Sequence, residues 1–139
     1  MNRSLAVLTV LVALALAVAC APAPQPPTAT PDATPADGTV GALAELGRSV
    51  YGRSCAGCHG AKGGGVPAPA LIGPNNKLTK YGNAKDLLDY ISVEMPVNRP
   101  GELASQEYEQ VLALLLLENG ILAEDADLNA ATLDFLGLE

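Results

Sequence analysis

The stretch SCAGCHG, residues 54 to 60, sets two thiols and an imidazole among residues with little chemistry of their own. Cys55 and Cys58 lie three apart, so on a helical turn they project to one side, and His59 can point inward beside them. Three reactive groups converge on one object. A thioredoxin-like dithiol would ask for a βαβ frame and no particular histidine. A tetrahedral zinc site would ask for four ligands; beyond this cluster the chain has no other histidine and one other cysteine, Cys20, at the end of an apolar N-terminal run. A disulfide between Cys55 and Cys58 would close a tiny loop and gain little.

Cys-x-x-Cys-His is the attachment motif of c-type haem. Each thiol adds to a vinyl group on the porphyrin edge, and the adjacent imidazole reaches the iron from one face, so the spacing follows from the porphyrin. Composition agrees with a large prosthetic group. The 139 residues make one domain plus trimmings, with no Trp, one Phe and four Tyr, too few bulky side chains to fill a small core in the usual way. Domains of this size commonly need a disulfide, metal or cofactor as a staple. Here Cys55, Cys58 and His59 supply it.

The elements that position these groups begin after an export signal. Met1 to Ser4 carry one arginine, and Leu5 to Ala19 are apolar apart from Thr9, a basic region followed by a hydrophobic core that is short for a membrane span. The residues LAVAC ending at Cys20 resemble a bacterial lipobox, with Ala17 where that pattern prefers Leu. Lipidation of Cys20 is the expected outcome; cleavage by ordinary signal peptidase after Ala17-Val18-Ala19 and an uncleaved anchor helix are the alternatives. The segment APAPQPPTATPDATPADGTV, residues 21 to 40, holds six of the eleven prolines and cannot bury enough surface to fold. It reads as a tether, able to reach up to roughly 60 Å if largely polyproline II at ~3.1 Å per residue. The expected organisation is therefore a signal peptide over 1–19, a lipid-anchored linker over 20–40, a folded domain over 41–120 and a tail over 121–139 packing on that domain.

Within the domain, Leu43, Leu46, Val50 and Tyr51 stand at helical spacing and predict a first helix leading into the cysteine pair. Residues 60 to 82, rich in Gly, Pro and Asn, read as a loop, and a loop of that length in a compact domain suggests a ligand to wrap. A second helix is predicted over 84–94, capped by Asn83 and ended by Met95-Pro96. A third runs from about Ser105 to Glu118, with Tyr108, Val111, Leu112 and Leu115 as its inner stripe and Asn119-Gly120 as its stop. Leu114 to Leu117 are all leucine, which makes this helix broadly apolar and central.

Once the signal is removed, Met95 is the sole thioether and His59 the sole imidazole, so a bis-histidine haem cannot form within one molecule. Met95 is the candidate sixth ligand to the iron; its other reading is core filler. Pro96 holds position 95 out of the α region, which suits a ligand turning back toward a metal.

Residues 41 to 120 resemble a class I cytochrome c. The resemblance rests on Gly47 and Tyr51 before the motif, Cys55-Ala56-Gly57-Cys58-His59-Gly60, and the later Met95-Pro96; it departs at Glu94, where many members of that family have Gly. Downstream, MPVNRPGELASQEYEQVLALLLLENG is similar to the end of the domain in cytochromes that accompany periplasmic dehydrogenases. The resemblance implies an all-α fold, three main helices and loops around one covalent haem c, with the last helix crossing the first. It implies His59 and Met95 as axial ligands, and Pro69 and Leu71 on the histidine side of the pocket, the Pro69 carbonyl accepting a hydrogen bond from the imidazole.

Thioether plus imidazole raises the potential and leaves no open coordination position. There is no second His, no paired carboxylate set near the haem loop and no Ser/His/Asp arrangement. An electron carrier outside the cytoplasm is expected, rather than an enzyme. The alternatives are a haem subunit of a dehydrogenase or oxidase complex, and a haem enzyme or ligand sensor if Met95 stays off the iron. Redox proteins are the expected partners, with the membrane reached through lipid at Cys20 and no nucleic acid involved. The net charge of −7 is unevenly spread: Arg48, Arg53, Lys62, Lys77, Lys80 and Lys85 form a stretch without acids, followed from Asp86 onward by twelve acids against Arg99. A positive surface near the haem edge and an acidic docking face on the partner are expected.

Overall fold

The computed structural model describes residues 38–139; the predicted signal, Cys20 and nearly all of the tether lie outside them. Helix α1 spans Val40–Ser54. It starts where Thr39 Oγ1 accepts from the Ala42 N–H at 3.4 Å. Val40, Leu43, Ala44, Gly47, Val50 and Tyr51 form its buried face, a stripe at three- and four-residue intervals. Leu46, expected on that face, is instead 42% exposed, because the face is centred on Ala44 and Gly47.

After Cys55 the chain makes one further turn, α2, Ala56–His59. The following loop is built rather than loose. Gly65 N–H donates to the His59 carbonyl and Ala68 N–H to the Cys58 carbonyl, both at 2.9 Å, while Leu71 and Ile72 donate to the Gly63 carbonyl at 2.8 and 3.0 Å. The first two bonds satisfy carbonyls that the end of a helix would otherwise leave unpaired. Gly63 is needed here: at φ +70° a side chain is strained, and its Cβ would lie 2.7 Å from the Ile72 side chain. A 3-10 turn over Leu78–Tyr81 buries Leu78 and ends the loop.

Helix α3, Ala84–Glu94, is capped by Asn83, whose side chain accepts from the Asp86 N–H at 2.8 Å. Helix α4, Ser105–Glu118, buries Tyr108 and every residue from Val111 to Leu116. No single stripe could do that. Helix α4 is covered on two sides: Leu43, Ala44 and Tyr51 of α1 pack with Ala113 and Leu114, whereas Leu87 of α3, Leu78 and the tail residues Leu133 and Leu138 pack with Leu112, Leu115 and Leu116. Helices α1 and α4 share the widest interface among the described elements.

The tail runs back over the domain through one short turn, α5, Ala130–Leu133. The carbonyls of Ala126, Glu124 and Leu136 accept from the N–H groups of Val40, Gly41 and Ala84, at 2.8, 2.9 and 2.9 Å. These donors belong to the first turns of α1 and α3, which have no intrahelical acceptor. The tail thus caps two helices and contributes Leu138 to the core, while Phe135 is 88% exposed. The described residues hold no strand beyond two isolated bridges, Thr39 with Asp127 and Asn83 with Gly137. None of their helices is long and apolar enough to cross a membrane.

Candidate functional site

Helices α1, α3 and α4 and the loop after α2 enclose an apolar cleft of about 430 Å³. Cys55, Cys58, His59, Pro69, Leu71 and Met95 all line it, so residues spread over forty positions of the chain face one space. Cys55 is half-buried, Cys58 is exposed, and both are free thiols. Burial pushes the Cys55 thiol up to about 11, with Cys58 adding to the effect and Arg53 opposing it. A thiol held neutral forms disulfides poorly.

His59 Nδ1 lies 2.8 Å from the Pro69 carbonyl oxygen. A carbonyl only accepts, so Nδ1 carries the proton, and in the neutral ring Nε2 is the nitrogen with the lone pair. The Pro69 carbonyl is itself held in place, because the amide of Ala68 is bonded to Cys58 and that of Leu71 to Gly63. From the other side Tyr51 donates its hydroxyl to the Gly60 carbonyl at 2.9 Å. Burial, with a smaller contribution from Cys55, pushes the Tyr51 phenol up to about 12.

Met95 ends α3 in an extended conformation, φ −118° and ψ 150°, its N–H still donating to the Ile91 carbonyl at 3.1 Å. Glu94 is the last residue of the helix and needs no positive φ. The departure from the cytochrome pattern at this position therefore carries no strain.

Two residues fix this cleft in ways that sequence reasoning missed. Asn119, read as a helix stop, donates from Nδ2 to the Leu71 carbonyl at 2.9 Å and the Leu115 carbonyl at 2.8 Å. Its Oδ1 accepts from Gly73 N–H at 3.1 Å and Asn76 Nδ2 at 3.0 Å. It ties the loop beneath the histidine to the end of α4. The available signal was redundancy, since Gly120 already suits a helix end and an Asn beside it has amide groups to spend elsewhere. Tyr108, read as part of an apolar stripe, donates its hydroxyl to the Met95 carbonyl at 2.7 Å. A tyrosine in a buried aliphatic row needs a partner for its hydroxyl.

The charge reading needs correction. Arg48 pairs with Glu118 at 2.6 Å and with Glu45 at 3.4 Å, Arg53 pairs with Glu107, and Lys85 pairs with Asp89 at 2.5 Å. The Lys80 ammonium lies over the Tyr81 and Tyr90 rings, 4.6 and 5.3 Å from their centroids. Folding brings acids from the second half of the chain onto half of the basic stretch. Lys62 and Lys77 have no ion pair among the described residues, and Lys77 and Lys80 line the cleft.

Residues 42–115, more than half of the chain, match the family described as cytochrome c oxidase, cbb3-type, subunit III. The chain belongs to that family. No curated protein matches it. Among solved structures it is similar to the sulfane dehydrogenase SoxCD from Paracoccus pantotrophus, with a TM-score of 0.60 and 24% identity over 68% of this chain and 52% of that one, so it spans about half of that chain. That likeness shows the fold. This c-type cytochrome is a small all-α electron-transfer protein with covalently bound haem c. The residues present fit the group: an apolar cleft, two free thiols one turn apart, an imidazole whose Nδ1 is bonded to a carbonyl, and a thioether.

Proposed function

We propose that Cys55 and Cys58 form the two thioether links, that His59 Nε2 and the Met95 sulfur are the axial ligands, and that the protein passes single electrons between redox proteins outside the cytoplasm. The observation that carries this reading is the 2.8 Å bond from His59 Nδ1 to Pro69 in the cleft that Met95 also lines. That bond fixes the tautomer and raises the basicity of the nitrogen left for a metal. The haem supplies reversible one-electron chemistry; the chain's part is to hold it, exclude water from it and set its potential. Leu71, Ile91, Val111 and Leu115 give the cleft its apolar walls, and a low-dielectric wall together with a His/Met ligand pair favours ferrous iron.

Met95→Ala tests the reading. It should leave the haem attached while producing a high-spin ferric spectrum, faster binding of cyanide and a lower potential. An unchanged spectrum and potential would assign the sixth position to another group, and the protein would then fit a ligand sensor or haem enzyme better. Cys55→Ala with Cys58→Ala should leave no haem bound after acid-acetone extraction.

The reading extends to anchoring and docking. Cys20 carries lipid, and residues 21–40 tether the haem domain to a membrane; Cys20→Ser should release the protein to the soluble fraction with its haem spectrum intact. Lys62 and Lys77, which have no ion pair among the described residues, steer an acidic partner toward the cleft. A second reading, a fixed subunit of a larger complex, draws support from the family description and from the SoxCD likeness. Gel filtration of extracts in mild detergent separates the two: a carrier elutes alone, a subunit with its complex.

A further inference from the structure

Tyr108 stands where the two ends of one loop meet. Its hydroxyl donates to the Met95 carbonyl at 2.7 Å and accepts from the Leu103 N–H at 3.3 Å. One side chain of α4 therefore holds both the start and the end of the segment from Met95 to Leu103. The Met95 N–H is bonded to Ile91 of α3, and the only other donor near the Met95 carbonyl among the described residues is the Gly101 N–H, at 3.4 Å. Pro96 offers no N–H of its own. Without the phenol, the Met95 peptide would be held firmly on the α3 side alone.

The clamp is also referenced to the other wall of the cleft. Glu107, next to Tyr108, pairs with Arg53 at the end of α1 and accepts from the Ala104 N–H at 3.0 Å. Arg53 stands two residues before Cys55. The first turn of α4 thereby touches the helix that delivers the cysteines and histidine, and the Tyr108 ring, 4% exposed, lines the cleft between them. A leucine would fill that space with apolar surface as well as the ring does. What the tyrosine adds is the pair of hydrogen bonds.

We propose that Tyr108 is a positioning residue for the distal ligand: by fixing the Met95 carbonyl it sets the backbone that aims the Met95 thioether into the cleft. The proposal rests on the reading of Met95 as an axial ligand. A neutral thioether is a weak ligand to ferric iron, so its occupancy depends on how closely the backbone holds it in place, and supporting shells matter at the scale of about 0.5 Å.

The test is Tyr108→Phe in the full-length, haem-loaded protein, which keeps the ring and removes the hydroxyl. Covalent haem and helix content should be unchanged. The sulfur-to-iron charge-transfer band of the ferric protein should weaken, the reduction potential should fall, and imidazole, used as the probe, should bind ferric iron about three- to tenfold more tightly, the range set by one net hydrogen bond. On a Met95→Ala background Tyr108→Phe should have no further effect on imidazole binding, since the hydroxyl acts through Met95. A lower unfolding midpoint with wild-type band, potential and imidazole affinity would reduce Tyr108 to a packing role and overturn the proposal. So would an effect of equal size on the Met95→Ala background. If Met95→Ala itself leaves the iron unchanged, the ligand reading fails first and the proposal with it; if Met95→Ala opens the iron and Tyr108→Phe does nothing, the proposal alone fails.

Discussion

Two buried tyrosines each spend a hydroxyl on a backbone carbonyl: Tyr51 on Gly60 beside the cysteine motif, Tyr108 on Met95 at the cleft. The Tyr51 phenol has consequences at high pH. Burial raises it from 10.0 to about 12, so in the unfolded chain it ionises first. The folded state then binds more protons than the unfolded state, and stability falls as pH rises. The contribution is complete below pH 10 and is lost as pH climbs toward 12. Guanidinium unfolding at a series of pH values should show a stability difference between wild type and Tyr51→Phe that is constant up to pH 10 and shrinks above it. A difference that stays constant to pH 12 would assign the alkaline loss to other groups. None of this was legible beforehand, because Tyr51 reads equally well as a core aromatic until its depth and its partner Gly60 are known.

At the scale of elements, the crossing of α1 and α4 decides the fold. Gly47 permits it: a Cβ there would stand 2.1 Å from the Gln110 carbonyl oxygen and 2.7 Å from its carbonyl carbon. Backbone cannot yield as a flexible side chain can. Gly47→Val should therefore destabilise the protein by about 1 to 3 kcal/mol or more, the usual range for forcing atoms into a packed interface, as measured by guanidinium denaturation. The same change at Gly57, whose Cβ would meet nothing within 4 Å, should cost much less. The tail acts at this scale too. Its carbonyls complete the first turns of α1 and α3, and Leu133 and Leu138 close the core over Leu112 and Leu116. Truncation after Gly120 should lower the thermal midpoint and expose the amides of Val40, Gly41 and Ala84 to hydrogen exchange. Protection unchanged at those three amides would mean that the tail caps neither helix.

Across the whole molecule, the acidic second half of the chain neutralises half of the basic stretch, through Glu118 on Arg48, Glu107 on Arg53 and Asp89 on Lys85. Among the described residues the positive charge without an ion pair is thus concentrated on Lys62, Lys77 and Lys80, in a protein whose net charge is −7. Exposed pairs of this kind contribute little to stability, but they decide where an approaching protein meets unpaired charge. Lys62→Glu with Lys77→Glu should slow electron exchange with the physiological partner more than reversal of Glu124 and Asp125 does. The effect should fade as salt shortens screening to about 8 to 10 Å. A larger effect from the acidic pair, or rates indifferent to salt, would move docking to the tail or to the exposed valines Val66 and Val97.

Covalent haem could be expected from SCAGCHG alone because a porphyrin edge imposes its own spacing, and no fold is needed to see it. The three main helices were legible for a similar reason, since the Asn83 cap, three- and four-residue apolar periodicity and the Met95-Pro96 break are local properties of the chain, whereas the Thr39 cap of α1 went unread. Met95 could be singled out by elimination. Tertiary structure alone decided that Leu46 and Phe135 face solvent, that Asn119 ties Leu71 to Leu115, that Tyr108 holds Met95, and that Arg48 and Arg53 are paired while Lys62 and Lys77 are not. Most of these features join residues from separate elements, brought within bonding distance by the packing of α1 and α3 on α4. The physical reason is that hydrogen bonds and ion pairs act over about 3 to 4 Å, while the sequence orders residues only along the chain; Arg48 and Glu118 lie seventy positions apart and 2.6 Å from each other.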